Sequence, residues 1–326
     1  MSLDSDVIVD RRRIRRKLTF WRVAAALIAI AAIIAVAVIA APGGGTGLTA
    51  AGSIARINIE GLIRSDQERV EALERLEKSQ AAAVIVHINS PGGTTAGSEQ
   101  LYDALTRLKA KKPLVVVVEG LAASGGYITA IAADHIVAQQ SSLVGSIGVL
   151  FQFPNFSELL KTVGVKVEEV KSSPLKAAPN GFEPTSPEAR AALDALVKDS
   201  YAWFRGLVKE RRAMDDAQLE RVADGRVFTG RQAVELKLID QLGDEKSAVA
   251  WLVAQKGIKP DLPVRDYKLT PRFGDLTFLR TAAAITFDAL GLGAVARQIE
   301  QTGVAQAADR LGLEGMLALW HPAGAN

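Results

Sequence analysis

The 326 residues contain no cysteine. That excludes disulfides, thiol catalysis and thiolate metal sites, but it does not fix a redox compartment, since reducing and oxidising surroundings both tolerate the absence. Histidine is nearly missing as well, with only His87, His135 and His321, so any chemistry that needs an imidazole has three candidates. Acid is missing from "RRRIRRK" at 11–17, where six of seven residues are basic. Outside that block the chain is slightly acidic, although the formal net charge is +3, so nucleic acid is not the natural partner. Charge of either sign is missing from "VAAALIAIAAIIAVAVIAA" at 23–41.

That uncharged run of nineteen residues nearly matches a hydrocarbon core of about 30 Å at about 1.5 Å per helical residue. A cleaved signal peptide has an apolar region of about 7–15 residues, so the longer run reads as a retained single-pass anchor. Positive charge before it places 1–22 in the cytoplasm and the body outside, on the far side of the cytoplasmic membrane. "PGGGTG" at 42–47 ends the helix and begins a linker, 42–52.

Beyond the linker, short apolar runs alternate with helical patterns. "SIARINIEG" (53–61) alternates with period two, and "AAVIVHIN" (82–89) and "PLVVVVEG" (113–120) are near-continuous apolar strands. Such strands belong to a parallel sheet covered on both faces. "DQERVEALERLEKSQ" (66–80) and "GSEQLYDALTRLKA" (97–110) read as the intervening helices, giving a βαβ series and an α/β fold. Further on, the pattern predicts a helix over 157–164, an alternating strand over 165–172, and a long helix starting at Ser186-Pro187. Helical patterns at 229–240 and 245–257 close the body. The tail is amphipathic, with no repeat and no chemistry.

Ligands of such sheets bind at the carboxyl ends of the strands. Two strand ends here are unusual. "INSPGGT" (88–94) is a glycine turn whose amides no side chain covers, and "EGLAASGG" (119–126) puts Ser124 at the mouth of the next helix. Free amides beside a serine suit an oxyanion hole next to a nucleophile. A serine needs a base. His87 lies in a buried strand, and His135 is eleven residues beyond Ser124, more than about 15 Å along a continuous helix, so a Ser-His-Asp triad is poorly supported. Lysine is the alternative, provided it is neutral, and desolvation favours that form. Lys171 and Lys176 in "VEEVKSSPLKAAPNGF" (167–182) both qualify, with Lys176 in the more apolar setting.

"INSPGG", "ASGGY", "VGSIGV" (144–149), "VKSSPLK" and "GRVFTGRQAVELKLIDQLGD" follow one another in this order. Together they resemble the SppA-type signal peptide peptidases, membrane-anchored Ser-Lys proteases of the ClpP/crotonase-like fold, in the short form with one protease domain. The resemblance covers about 53–257 and the anchor, and leaves 258–326 without a counterpart. It implies repeated β-β-α units, Ser124 as nucleophile, Lys176 as general base, Ser146 as the residue orienting that lysine, and Gly93 and Gly125 as oxyanion donors. It also implies endoproteolysis of apolar, membrane-derived peptides such as remnant signal peptides, no metal or cofactor, and a homo-oligomeric ring whose active sites combine serine and lysine from neighbouring subunits. One departure stands out: where the family shows Lys-Ser-Gly before the catalytic lysine, this chain has Ser173 and Pro174. Two rival readings share the fold: a non-catalytic membrane scaffold, and an enzyme acting on acyl-CoA.

Overall fold

Val, Ile and Leu runs form the middle of a sheet whose helices cover both faces. The computed structural model describes residues 52–269 and 317–319. The basic block, the 23–41 run and most of the tail lie outside the described residues. In chain order, β1 (Ile54–Ile63) leads to α1 (Gln67–Glu77), β2 (Ala83–Thr94), α2 (Thr95–Lys109), β3 (Leu114–Ala123) and α3 (Gly125–Ala130). Two short strands follow, β4 (His135–Ala138) and β5 (Leu143–Gly145), then α4 (Ser157–Thr162) and the long α5 (Pro187–Arg211). The body ends with α6 (Asp216–Val222), β6 (Val227–Thr229), α7 (Gly230–Glu235), β7 (Gln241–Leu242), α8 (Glu245–Lys256) and β8 (Val264–Asp266). Residues Leu317–Leu319 add β9.

The sheet runs β6-β5-β3-β2-β1-β8. Its central pairs are parallel, with Ile85 opposite Arg56 on one side and Val115 on the other. β3 divides its partners: Val115–Val118 pair with β4, and Leu121–Ala123 pair with β5. Among the described strands, β5/β6 and β2/β9 are the antiparallel pairs. Because successive side chains alternate faces, Ile85, Val115 and Val117 share one face, where Ala248 and Leu252 of α8 pack on them. Val84, Val86, Val116 and Val118 point the other way and are fully buried. Burial on both faces is why these strands read as unbroken apolar runs.

Local chemistry sets the helix starts. Asp66 accepts from the Arg69 N–H at 3.0 Å, Thr94 from Gly97 at 3.1 Å, and Ser186 from Ala189 at 3.1 Å, one residue before Pro187. On α1, Val70, Leu73 and Leu76 are buried, as their spacing predicts. The short α3 is held at both ends. The fully buried Tyr127 hydroxyl donates to the Leu238 carbonyl at 2.8 Å, and burial pushes its pKa up. Arg211 of α5 donates to the carbonyls of Ile131 at 2.7 Å and Ala133 at 2.8 Å, just past the end of α3. Tyr127→Phe leaves the Leu238 carbonyl buried without its donor, so it should cost about 1–3 kcal/mol. A denaturant midpoint equal to that of the parent protein would contradict this.

Three sequence readings change. The helix begun at Ser124 stops at Ala130, and His135 opens β4 instead of ending that helix. "INSPGGT" does not leave the sheet, because β2 continues through it to Thr94. Residues 165–172 alternate like a strand but form none, since a strand needs a neighbour and this segment pairs with nothing among the described residues. Beyond 257, β8 pairs with β1, with Ile54 opposite Val264.

Candidate active site

Ser124 sits where β3 hands over to α3. Its backbone has φ 54° and ψ −118°, a positive φ that costs a non-glycine residue about 1–3 kcal/mol and persists only where surroundings enforce it. Here the Ser124 N–H donates to the Gly145 carbonyl at 2.8 Å, and the Ser124 carbonyl accepts from Tyr127 and Ile128. Ser124 is 1% exposed, and its Oγ has no hydrogen-bond partner among the described residues. A buried hydroxyl without a partner is costly, and a site that reserves it for a substrate is a physical reason to keep it.

Ser146 arrives by the same geometry. Ala123 of β3 is in register with Gly145 of β5, so the two serines follow directly on paired residues. Ser146 also has a positive φ, 52°, with its N–H bonded to the Arg226 carbonyl at 2.8 Å. On the other side of β3, Ser90 of β2 is in register with Ala122, which brings the glycine segment alongside. A Cβ on Gly93 would stand 1.7 Å from the Ile63 carbonyl oxygen, so only glycine fits. Gly125 is the first residue of α3 and is buried. Ser124, Gly125 and Ser146 are therefore brought together, with the Gly93 strand next to them. Gly93→Ala should push β1 off β2, lowering activity at least about 100-fold and stability by about 1–3 kcal/mol; near-parent turnover would show that the strand has slack.

Lys176 is not brought to Ser124 within the single chain. It lies exposed on a turn in which its N–H bonds the Ser173 carbonyl at 3.1 Å. Lys171 is also outside the site, tied at 2.6 Å to both Glu169 and Glu183. Hydrogen bonding to those two carboxylates raises its pKa, Glu169 contributing most. That is the wrong direction for a general base. The segment carrying both lysines exposes apolar side chains, including Leu159, Val163 and Phe182, and Val170 is 106% exposed, so nothing among the described residues covers it.

His87 and His135 have structural partners, and His321 lies outside the described residues. His87 Nδ1 lies 2.7 Å from Glu119 and Nε2 2.8 Å from Glu245. Glu245, lowered in pKa first by its bond to Arg56 and then by His87, ties α8 to the sheet. His135 stacks on Trp251 at 4.6 Å and meets Gln241 at 3.2 Å. Neither makes a hydrogen bond to Ser124. Sequence reasoning passed over Ser90 and gave Gly126, noted only as a small residue beside Ser124, no role. A Cβ on Gly126 would be 2.7 Å from the Ser90 carbonyl oxygen; the signal was a second glycine after the serine of "SGG" and a serine two residues before the first glycine of "SPGG".

A strained, buried serine at a strand-to-helix turn, flanked by glycine amides on a parallel α/β sheet, defines a serine hydrolase site of ClpP-like architecture. The comparisons with known proteins agree. The model of the Clp protease family matches residues 57–142, and that of Peptidase family S49 matches residues 106–259. A putative protease of Synechocystis sp. is 38% identical over 210 residues, covering 64% of this chain and 76% of that protein. A putative signal peptide peptidase SppA of Enterococcus faecium is 32% identical over 204 residues, 62% of this chain and 59% of that protein. Protease 4 of Haemophilus influenzae is 30% identical over 227 residues, 66% of this chain but only 37% of that longer protein. The chain belongs to peptidase family S49 and is a serine protease of the SppA type. The scaffold and acyl-CoA readings fall with that finding.

Proposed function

We propose that this protein is a membrane-anchored endopeptidase with a Ser124–Lys176 dyad, acting on remnant signal peptides and other apolar peptides released from the membrane. The observation that carries the proposal is the pairing of opposites across the chain. Among the described residues, Ser124 is buried without a hydrogen-bond partner, and Lys176 is exposed on a segment whose apolar side chains none of them covers. Each half lacks what a second copy supplies. In a homo-oligomeric ring, the 150–182 segment of one protomer would pack on its neighbour, desolvating its lysine beside that neighbour's serine.

In this reading Lys176 takes the Ser124 proton, and Oγ attacks the scissile carbonyl. The amides of Gly93 and Gly125 hold the tetrahedral oxyanion. Collapse expels the amine, which takes the proton back from Lys176. Water then cleaves the acyl-enzyme with the same lysine as base. Ser146, beside Ser124, would orient the amine. The chemistry calls for no metal or cofactor. An extended substrate along Gly92–Thr94 would take the place of β9, which lies antiparallel on that stretch with Ala318 opposite Gly93, and would make the main-chain hydrogen bonds that β9 gives up.

The 23–41 run and the basic block support an anchor with the body outside the cytoplasm. The test uses full-length protein in its membrane. It should stay membrane-bound in carbonate, be digested by protease added to spheroplasts, and hydrolyse a fluorogenic apolar peptide in the presence of EDTA. A body protected from external protease would overturn the topology. Loss of turnover with EDTA would overturn the mechanism.

A further inference from the structure

Ser90 has no place in the dyad, yet it touches both halves of the site. It is fully buried in β2. Its hydroxyl donates to the Gly61 carbonyl at 2.7 Å and accepts the Gly92 N–H at 3.1 Å, so one small group uses both its donor and an acceptor site. Gly61 lies at the irregularity of β1 where the register with β2 shifts between Glu60 and Leu62. Gly61 and Gly92 both have positive φ, 66° and 104°. The hydroxyl thus pins two conformationally loose glycines to each other, immediately before Gly93. Its main chain faces the other way: the Ser90 carbonyl is the atom a Gly126 Cβ would strike at 2.7 Å, so the first turn of α3 rests on it, two residues beyond Ser124.

We propose that Ser90 is a positioning residue that sets the separation between the Gly93 amide and the Ser124 hydroxyl. The inference rests on the serine-protease site described above and adds to it what holds the oxyanion donor in place. The donor must lie about 2.7–3.1 Å from the oxygen it stabilises, and a displacement of about 1 Å costs about 100-fold in rate. A Pro-Gly-Gly segment has little stiffness of its own. Without the hydroxyl, the Gly92 N–H and Gly61 carbonyl lose a buried partner, and the Gly92-Gly93 peptide turns to recover one. Substrate binding along the strand is largely kept, while stabilisation of the tetrahedral oxygen is lost.

The test is Ser90→Ala in the full-length chain, compared with the parent protein and with Ser124→Ala. The expected result is a kcat lower by about 10- to 100-fold with KM changed less than about 3-fold, the split that marks loss of an interaction made in the transition state. Inhibition by a peptide aldehyde, whose adduct with Ser124 carries the oxyanion, should weaken by the same factor as kcat. Binding of the unreactive substrate peptide should be equal in Ser124→Ala and in the Ser90→Ala/Ser124→Ala double variant. A purely structural role would lower folding stability or the amount of active protein and leave the aldehyde affinity per active site unchanged; that result overturns the proposal. If Ser90→Ala does not fold, Ser90→Cys, similar in size with a weaker donor, is read by the same aldehyde-to-kcat comparison. A Ser124→Ala protein as active as the parent would overturn the underlying site itself, whereas an inactive Ser124→Ala beside a fully active Ser90→Ala overturns only the role of Ser90.

Discussion

Replacing Ser124 with alanine should lower peptide hydrolysis by about three to six orders of magnitude, as loss of a nucleophile does, while the protein folds and assembles as before. Stability should hold or rise. The Ser124 Oγ is buried with no hydrogen-bond partner among the described residues, so its removal breaks no bond among them and relieves a desolvated polar group. The backbone strain at φ 54° remains, because alanine inherits the same turn. Opposite signs for activity and stability separate a reserved catalytic group from a structural one. Turnover above a few per cent of the parent value, or a large drop in the denaturation midpoint, would sink the assignment.

The second large effect distinguishes two lysines five positions apart. Lys176→Ala should inactivate about as fully as Ser124→Ala, whereas Lys171→Ala should retain most activity. Lys171 is held by Glu169 and Glu183 at 2.6 Å each, and those bonds raise its pKa and keep its charge. A lysine in that state cannot take a proton from serine. Its removal frees Glu183 and loosens the turn that leads to Lys176, an effect of a few-fold. If Lys171→Ala proves to be the dead variant, the Ser173-Pro174 departure has shifted the loop and the base is misassigned.

The central sheet was legible because its strands are buried on both faces, and "AAVIVHIN" and "PLVVVVEG" have no polar alternation to confuse with a helix. The strand-to-helix turn at Ser124 was legible because a serine and two glycines follow directly on an apolar strand. The short strands β4 to β7 escaped because two to four residues carry no period. The 165–172 alternation misled in the opposite way. Val165, Val167 and Val170 are apolar and exposed, a pattern that marks a surface to be covered, and sequence periodicity does not say whether the cover comes from the same chain. Ser90 escaped because its role lies in two hydrogen bonds to glycines 29 and 2 residues away, and only the second separation is local enough to read.

The most direct test of the account is whether two dead proteins make a live one. Ser124→Ala and Lys176→Ala chains, differently tagged, are co-expressed full-length, and complexes carrying both tags are isolated and assayed on an apolar peptide. If the dyad is built across protomers, mixed assemblies contain sites pairing an intact Ser124 with a neighbour's intact Lys176, and activity returns to roughly a quarter of the parent value by random mixing. If mixed complexes form and stay as inactive as each variant alone, serine and lysine do not meet across an interface, and the dyad proposed here is wrong.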